Sequence, residues 1–185
     1  MGGIGPAPSD PRPASETRTG FSTDAHPFGP GDGLWLGGVE IPAAPRLHGH
    51  SDGDAALHAV AGALLGATGL GDLGSVYPAD ERTRQGIPSA ELVRGVVERL
   101  AAAGWRSVAV DLTILAGRPR IGGQLGAMRT VIARLLDLPE EAVSVKASTG
   151  NLSGDVGGGR VIEAHAVATV ATVARATTTR VEGAT

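Results

Sequence analysis

The segment from Leu47 to Gly74, LHGHSDGDAALHAVAGALLGATGLGDLG, constrains this chain more than any other stretch. It gathers three of the five histidines, His48, His50 and His58, around Asp52, Asp54 and Asp72. Ser51 or Asp52 reads as an N-cap, and the alanine- and leucine-rich run from Ala55 to Ala67 reads as the helix it starts. Such a helix turns its unpaired N–H groups and the positive end of its dipole toward His50 and Ser51, which makes an anion site. His58 falls about two turns inside, on the face of Asp54 at i−4. On its own, His58 also suits a core position. Asp24-Ala25-His26 shifts that balance, because an extended Asp-x-His segment turns both side chains to one face. Two histidines and a carboxylate are a common shell for a catalytic zinc, with one position left open.

The rest of the chain sets bounds on this reading. Its 185 residues suffice for one domain with a full core, and 29 glycines with few aromatics imply close packing of small side chains. A net charge of −3 argues against nucleic-acid or membrane-surface partners. Without cysteine, any metal must be held by nitrogen and oxygen donors. No apolar run reaches the roughly 18 residues of a spanning helix, so a cytoplasmic location is expected.

Residues 1–17, rich in Gly, Pro, Ala and Ser, read as a disordered tail, 18–174 as the folded domain, and 175–185 as a flexible C-terminal tail. An extended segment from Arg18 delivers Asp24 and His26. A second strand around Leu34–Ile41 reads as broken by Gly37-Gly38, with Pro42 and Pro45 in a loop. Residues 75–88 read as a long, mobile polar loop and a candidate flap. Ser89 reads as the cap of a helix over Ala90–Ala103, followed by a strand at Ser107–Leu115 and a basic turn at Gly117–Arg120. A helix over Gln124–Asp137, a strand at Val143–Ala147, a glycine-rich loop and a last strand or strand pair at Val161–Val173 complete the order. The pattern predicts a single-domain α/β (α+β) fold, a mixed β-sheet with helices packed on one face.

Taken in order, several of these segments resemble the 2-C-methyl-D-erythritol 2,4-cyclodiphosphate synthase family. They are Asp24-x-His26, LGGVEIP at Leu36–Pro42, HSDGDAALHAV at His50–Val60, ALLGATGLGDLG at Ala63–Gly74, VDLTI at Val110–Ile114 and VSVKA at Val143–Ala147. HSDGD followed by a histidine at this spacing is highly specific, and the likeness runs over about residues 18–172. The resemblance implies a homotrimer with active sites between neighbouring subunits. It also implies the reaction, a phosphorus–oxygen lyase step of non-mevalonate isoprenoid synthesis. In it, 4-CDP-2-C-methyl-D-erythritol 2-phosphate closes to the cyclic diphosphate and CMP leaves. Asp24, His26 and His58 become ligands of Zn2+ or another divalent metal. His50 and Ser51 bind phosphate, and Asp72 with the Gly74 backbone holds the diol. Lys146, Ser148 and Thr149 lie by the α-phosphate and nucleotide, Thr149 among the catalytic residues, and Arg120 takes the place of the family's lysine.

Several positions depart from the family pattern. Gly150-Asn151 replaces a Thr-Glu whose carboxylate binds a second ion, so Mg2+ or Mn2+ is expected to bind more weakly there. Gly62 replaces an aspartate one turn beyond His58, and Ala79 one in the flap. At the family's trimer axis Asp155 and Gly158 replace an aromatic and an arginine, and an Asp155–Arg160 ring or a wet channel is expected instead of an isoprenoid-diphosphate site. Three readings stay open: a working synthase, a paralogue cyclising another CDP-linked polyol phosphate, and a catalytically silent zinc-binding trimer that binds a nucleotide or a partner. His48 is expected in solvent, and His165 in the core or an interface.

Overall fold

The computed structural model describes residues 16–173, so the expected tails lie almost wholly outside the described residues. Strand β1 (Thr17–Leu36) alternates along Gly20–Phe28. Gly20, Ser22, Asp24, His26 and Phe28 turn inward, while Phe21, Thr23, Ala25 and Pro27 are exposed. Gly37 and Gly38, with φ of 59° and 75°, then reverse the chain into β2 (Val39–Leu47). These glycines therefore close a hairpin where a broken strand was expected. Pro42 and Pro45 lie inside β2, which tolerates them because it is an edge strand.

The remaining elements are α1 (Ala55–Thr68), α2 (Leu73–Val76), α3 (Ser89–Ala102), β3 (Trp105–Leu115), α4 (Leu125–Leu135), β4 (Val143–Ser148), α5 (Gly154–Gly157) and a single last strand, β5 (Val161–Thr172). They form one five-stranded sheet in the order β2-β1-β5-β3-β4. Only β3 and β4 pair in parallel; the other neighbours are antiparallel. No helix among the described residues is long and apolar enough to cross a membrane.

Helix α1 is the centre of the core, with Leu57, Leu64 and Leu65 fully buried and alanines filling most of the remaining positions. Each such leucine contributes on the order of 1.5–3 kcal/mol. The small residues let the helix lie directly on the sheet: a Cβ at Gly20 would collide with the backbone of Ala63 and Ala67. Helix α3 adds Leu92, Val93, Val96 and Leu100, and α4 adds Met128 and Ile132. The opposite sheet face stays open, with Phe21 64% and Val167 38% exposed.

Two helix starts differ from the sequence expectation. The cap of α1 is Asp54, not Ser51 or Asp52. Its carboxylate accepts from Leu57 N at 3.0 Å, Gly37 N at 2.8 Å and Gly38 N at 2.7 Å. One fully buried side chain thus starts the helix and grips the hairpin turn. Burial pushes its carboxyl pKa up, and the three N–H donors oppose that rise. Ser89, expected as a cap, is instead the first residue of α3, and Asp52 caps that helix from a distance by accepting Ser89 N at 2.9 Å.

Candidate active site

Asp24 and His26 lie two residues apart on the inward face of β1, so their side chains emerge together. His58 meets them from the first turn of α1, where its N–H makes the opening helical bond to Asp54 O at 3.0 Å. Because the cap sits later than expected, His58 is one turn inside the helix and not two. The three donor atoms form a tight triangle. Asp24 Oδ2 lies 2.8 Å from His26 Nε2 and 3.2 Å from His58 Nδ1, and the two nitrogens are 3.1 Å apart. A tetrahedral zinc with bonds of about 2.0–2.1 Å spaces its ligands by about 3.3 Å, so the triangle fits one face of such a shell with little adjustment.

Each imidazole is fixed through its other nitrogen. His26 Nδ1–H donates to the His48 carbonyl at 2.6 Å, which leaves the Nε2 lone pair to the site. His58 Nε2 lies 3.0 Å from Ser51 Oγ and 2.9 Å from Ser89 Oγ, which leaves Nδ1 to the site. Burial works against the Asp24 carboxylate, but hydrogen bonds and charge from His26 and His58 outweigh it and lower its pKa to about 2. Burial likewise opposes charge on His26, and Asp24 beside it raises the His26 pKa regardless. The triad can therefore hold a divalent metal through one oxygen and two nitrogens.

The expected phosphate-binding segment is tied to the loop after α2. His50 Nε2 donates to the Thr83 carbonyl at 2.7 Å, Gly86 N to His50 O at 2.7 Å, and Asp52 N to Ile87 O at 3.1 Å. The loop read as a mobile flap is thus anchored along its second half, while Ala79, Asp80 and Glu81 remain exposed. Ser51 is buried against His58. Asp72 lies past the other end of α1, where it caps α2 by accepting Ser75 N at 2.9 Å, with Gly74 inside that short helix. No hydrogen bond joins either residue to the triad among the described residues.

Arg120, Ser148 and Thr149 line a cleft of about 510 Å³ with Gly117, Pro119 and Ala147. The family resemblance implies active sites between neighbouring subunits, and it gives the site both the basic turn and the 148–149 hydroxyls. Here both belong to one chain, since parallel pairing of β3 with β4 puts the turns after them side by side, and Ala116 N donates to Ser148 O at 2.9 Å. Lys146 sits one strand step before the cleft, exposed and paired with Asp111 at 2.5 Å. The cleft and triad lie on one row across the sheet, Asp24–Ala164–Ile114–Ala147. Three strand spacings separate the row's ends, about 14 Å. Ala164 and Ile114 between them are fully buried.

The departures from the family pattern have local explanations. A Cβ at Gly62 would collide with Ser22 Oγ, so Ser22 fills the room that a side chain at 62 would take. Asn151 and Leu152 have φ of 53° and 58°, in a left-handed turn that asparagine tolerates better than most residues. Asp155 and Arg160 form an ion pair within one chain, Arg160 Nε to Asp155 Oδ1 at 2.9 Å. Arg160 folds over Gly158, where a Cβ would lie 2.8 Å from its Nη1. His48 is exposed as expected. His165 lies half-buried on the open sheet face, 3.0 Å from Glu163 Oε1 and stacked on Phe21. Sequence reasoning missed the His48 carbonyl, Ser89 and the Asp54 grip on the hairpin, all contacts across 16 or more positions.

Residues 17–171 match the model of the YgbB family. The chain belongs to the YgbB family. It is 47% identical over 152 residues to a 2-C-methyl-D-erythritol 2,4-cyclodiphosphate synthase of Symbiobacterium thermophilum, a likeness covering 82% of this chain and 97% of that one. Among solved structures, the bifunctional IspDF of Campylobacter jejuni superposes with a TM-score of 0.83 at 32% identity, covering 88% of this chain and 44% of that longer one. The CDP complex of IspF from Plasmodium falciparum superposes with a TM-score of 0.73 at 28% identity, over 85% of this chain and 97% of that one. Such relatives are named as synthases, and this member of the YgbB family is an enzyme of that kind.

Proposed function

We propose that the protein is a cytoplasmic phosphorus–oxygen lyase. It converts 4-CDP-2-C-methyl-D-erythritol 2-phosphate to 2-C-methyl-D-erythritol 2,4-cyclodiphosphate and CMP. The observation that carries this reading is the Asp24–His26–His58 triangle, with each ring held through its outer nitrogen. In the reaction an oxygen of the 2-phosphate attacks the β-phosphorus, the bond from that phosphorus to the bridging oxygen breaks, and CMP carries away the electron pair. No protein nucleophile is required; anionic groups must be drawn together and aligned. A divalent ion on the triad, zinc by its donor set, supplies positive charge to the phosphate oxygens.

The chain's own groups do the positioning in this reading. Ser51 Oγ accepts Gly53 N at 3.1 Å and lies 3.0 Å from His58 Nε2, and in this reading it meets a phosphate oxygen together with His50. Thr149 and Ser148 offer hydroxyls to the α-phosphate, and Arg120 and Lys146 offer charge to the diphosphate. Lys146 gives up only an exposed pair with Asp111, worth at most about 1 kcal/mol. Asp72 and the Gly74 backbone hold the diol. A second Mg2+ or Mn2+ binds weakly, because Asn151 brings a carbonyl without charge.

Within one chain, the buried pair Ala164 and Ile114 leaves no open groove from triad to cleft along that row. A substrate touching both is best served by the triad of one subunit and the cleft of the next, in a homotrimer. The open face carrying Phe21 and Val167 supplies apolar area for it. The absent carboxylate at Asn151 favours a second reading, a related CDP-linked polyol phosphate as substrate. Incubation with the family substrate tests both. CMP and cyclic diphosphate in a 1:1 ratio support the first reading, and zinc binding without CMP release supports the second.

A further inference from the structure

Ser89 stands 31 residues from His58 in sequence and has no place in the reaction as described. It is fully buried, and its hydroxyl touches three groups. Ser89 Oγ donates to Asp52 Oδ1, lies 2.9 Å from His58 Nε2 and 3.4 Å from Ser51 Oγ. Asp52 also accepts Ser89 N–H at 2.9 Å and Asp54 N–H at 3.2 Å, so its carboxylate works only as an acceptor.

Counting protons fixes the direction of this chain of bonds. A serine hydroxyl has one proton, and Asp52 takes it. The lone pairs of Ser89 Oγ therefore face His58 Nε2, which must carry the hydrogen; a bare nitrogen at 2.9 Å would set lone pair against lone pair. Ser51, also 3.0 Å from Nε2, does not decide the matter, because its hydroxyl serves as donor or acceptor. With Nε2 protonated, the neutral ring has its lone pair on Nδ1, the atom facing Asp24 and His26, where a cation among the three would offset their facing lone pairs. Because Ser89 and Ser51 are both buried, solvent does not replace the arrangement.

We propose that Ser89, backed by Asp52, is the positioning residue for His58: a carboxylate–hydroxyl–imidazole relay that holds the ring as a metal ligand through Nδ1. The relay rests on the metal reading of the triad. It extends the usual carboxylate–histidine–metal arrangement by one hydroxyl, and it ties the ligand to the start of α3 and the end of the loop before it.

Zinc affinity of the metal-free protein, measured by competition with a chromogenic chelator, tests the relay together with ring 15N shifts of His58. Ser89→Ala should weaken zinc binding by about 10- to 100-fold, the range for loss of a ligand's hydrogen-bond partner. Ser89→Thr keeps the hydroxyl and should bind within about threefold of the parent, the rescue that marks a hydroxyl requirement. Asp52→Asn can donate to Ser89 Oγ, turning the Ser89 proton toward Nε2 and moving the His58 hydrogen to Nδ1. Should Ser89→Ala fail to fold, the His58 shifts in Asp52→Asn decide alone. Zinc bound equally by parent, Ser89→Ala and Asp52→Asn, with His58 shifts unchanged, overturns the relay and leaves the metal site standing. A parent that binds no zinc, or binds it no better than Asp24→Asn, removes the metal reading and the relay with it.

Discussion

The two ends of the row Asp24–Ala164–Ile114–Ala147 differ in how much of their surroundings the chain provides. At the β1 end, Asp24, His26 and His58 are partly buried, and each ring nitrogen already has a partner within the chain. At the β4 end, Ser148, Thr149 and Arg120 are exposed, and the turn that follows holds two non-glycine residues at positive φ. Folding alone completes the first site, because strand alternation, a buried cap and a relay of hydroxyls fix every donor before a ligand arrives. The second offers hydroxyls and charge with few internal partners, so whatever binds there has more to contribute.

The largest effect that could break this contrast is at the triad. Asp24→Asn removes the only carboxylate of the triad and should lower kcat on the order of 10³-fold, with the circular dichroism spectrum unchanged. A spectrum that collapses instead would mean that Asp24 serves the fold. At the cleft, Thr149→Val and Arg120→Ala each remove a polar group that the proposed reading assigns to the substrate phosphates. They should raise KM by about 10- to 100-fold and leave zinc affinity untouched. Zinc loss in either variant would mean the two ends are coupled.

Acid gives a smaller and graded effect. The raised pKa of His26 means that its charged pairing with Asp24 stabilises the metal-free protein fully below the ordinary 6.5 and is lost as pH rises through the folded value. The lowered pKa of Asp24 makes its share present above 3.8 and lost as pH falls through about 2. A metal needs His26 deprotonated, so zinc affinity should run the other way, falling about tenfold per pH unit below the folded His26 pKa. Calorimetric titration across that range, in buffers of different ionisation enthalpy, checks the proton release. The smallest effect belongs to Asn151→Glu, which should lower the Mg2+ or Mn2+ concentration for half-maximal rate by about two- to fivefold. An unchanged metal dependence would mean that another residue supplies the charge.

Residues that meet through local periodicity were legible in the sequence. Asp24 and His26 share a face because strands alternate, and the alanine-rich run announced α1 and with it His58. What stayed hidden depends on contacts between distant segments. Asp54 is the cap because Gly37 and Gly38, in a hairpin turn 16–17 residues earlier, offer it two more N–H groups. That same hairpin read as an interrupted strand, since two glycines look alike in a break and in a turn. The single-chain cleft was missed because parallel pairing of β3 and β4 is a property of the whole sheet. Ser89 looked like an ordinary helix cap, and only the folded chain brings it to Asp52 across 37 positions.

Equilibrium zinc binding to the metal-free protein, compared between the parent, Asp24→Asn and Thr149→Val, decides whether the triad by itself holds the ion. One ion per chain is expected for the parent and for Thr149→Val with similar affinity, and binding weaker by on the order of 10²-fold or more in Asp24→Asn. Equal binding by all three proteins, or loss only in Thr149→Val, would contradict it.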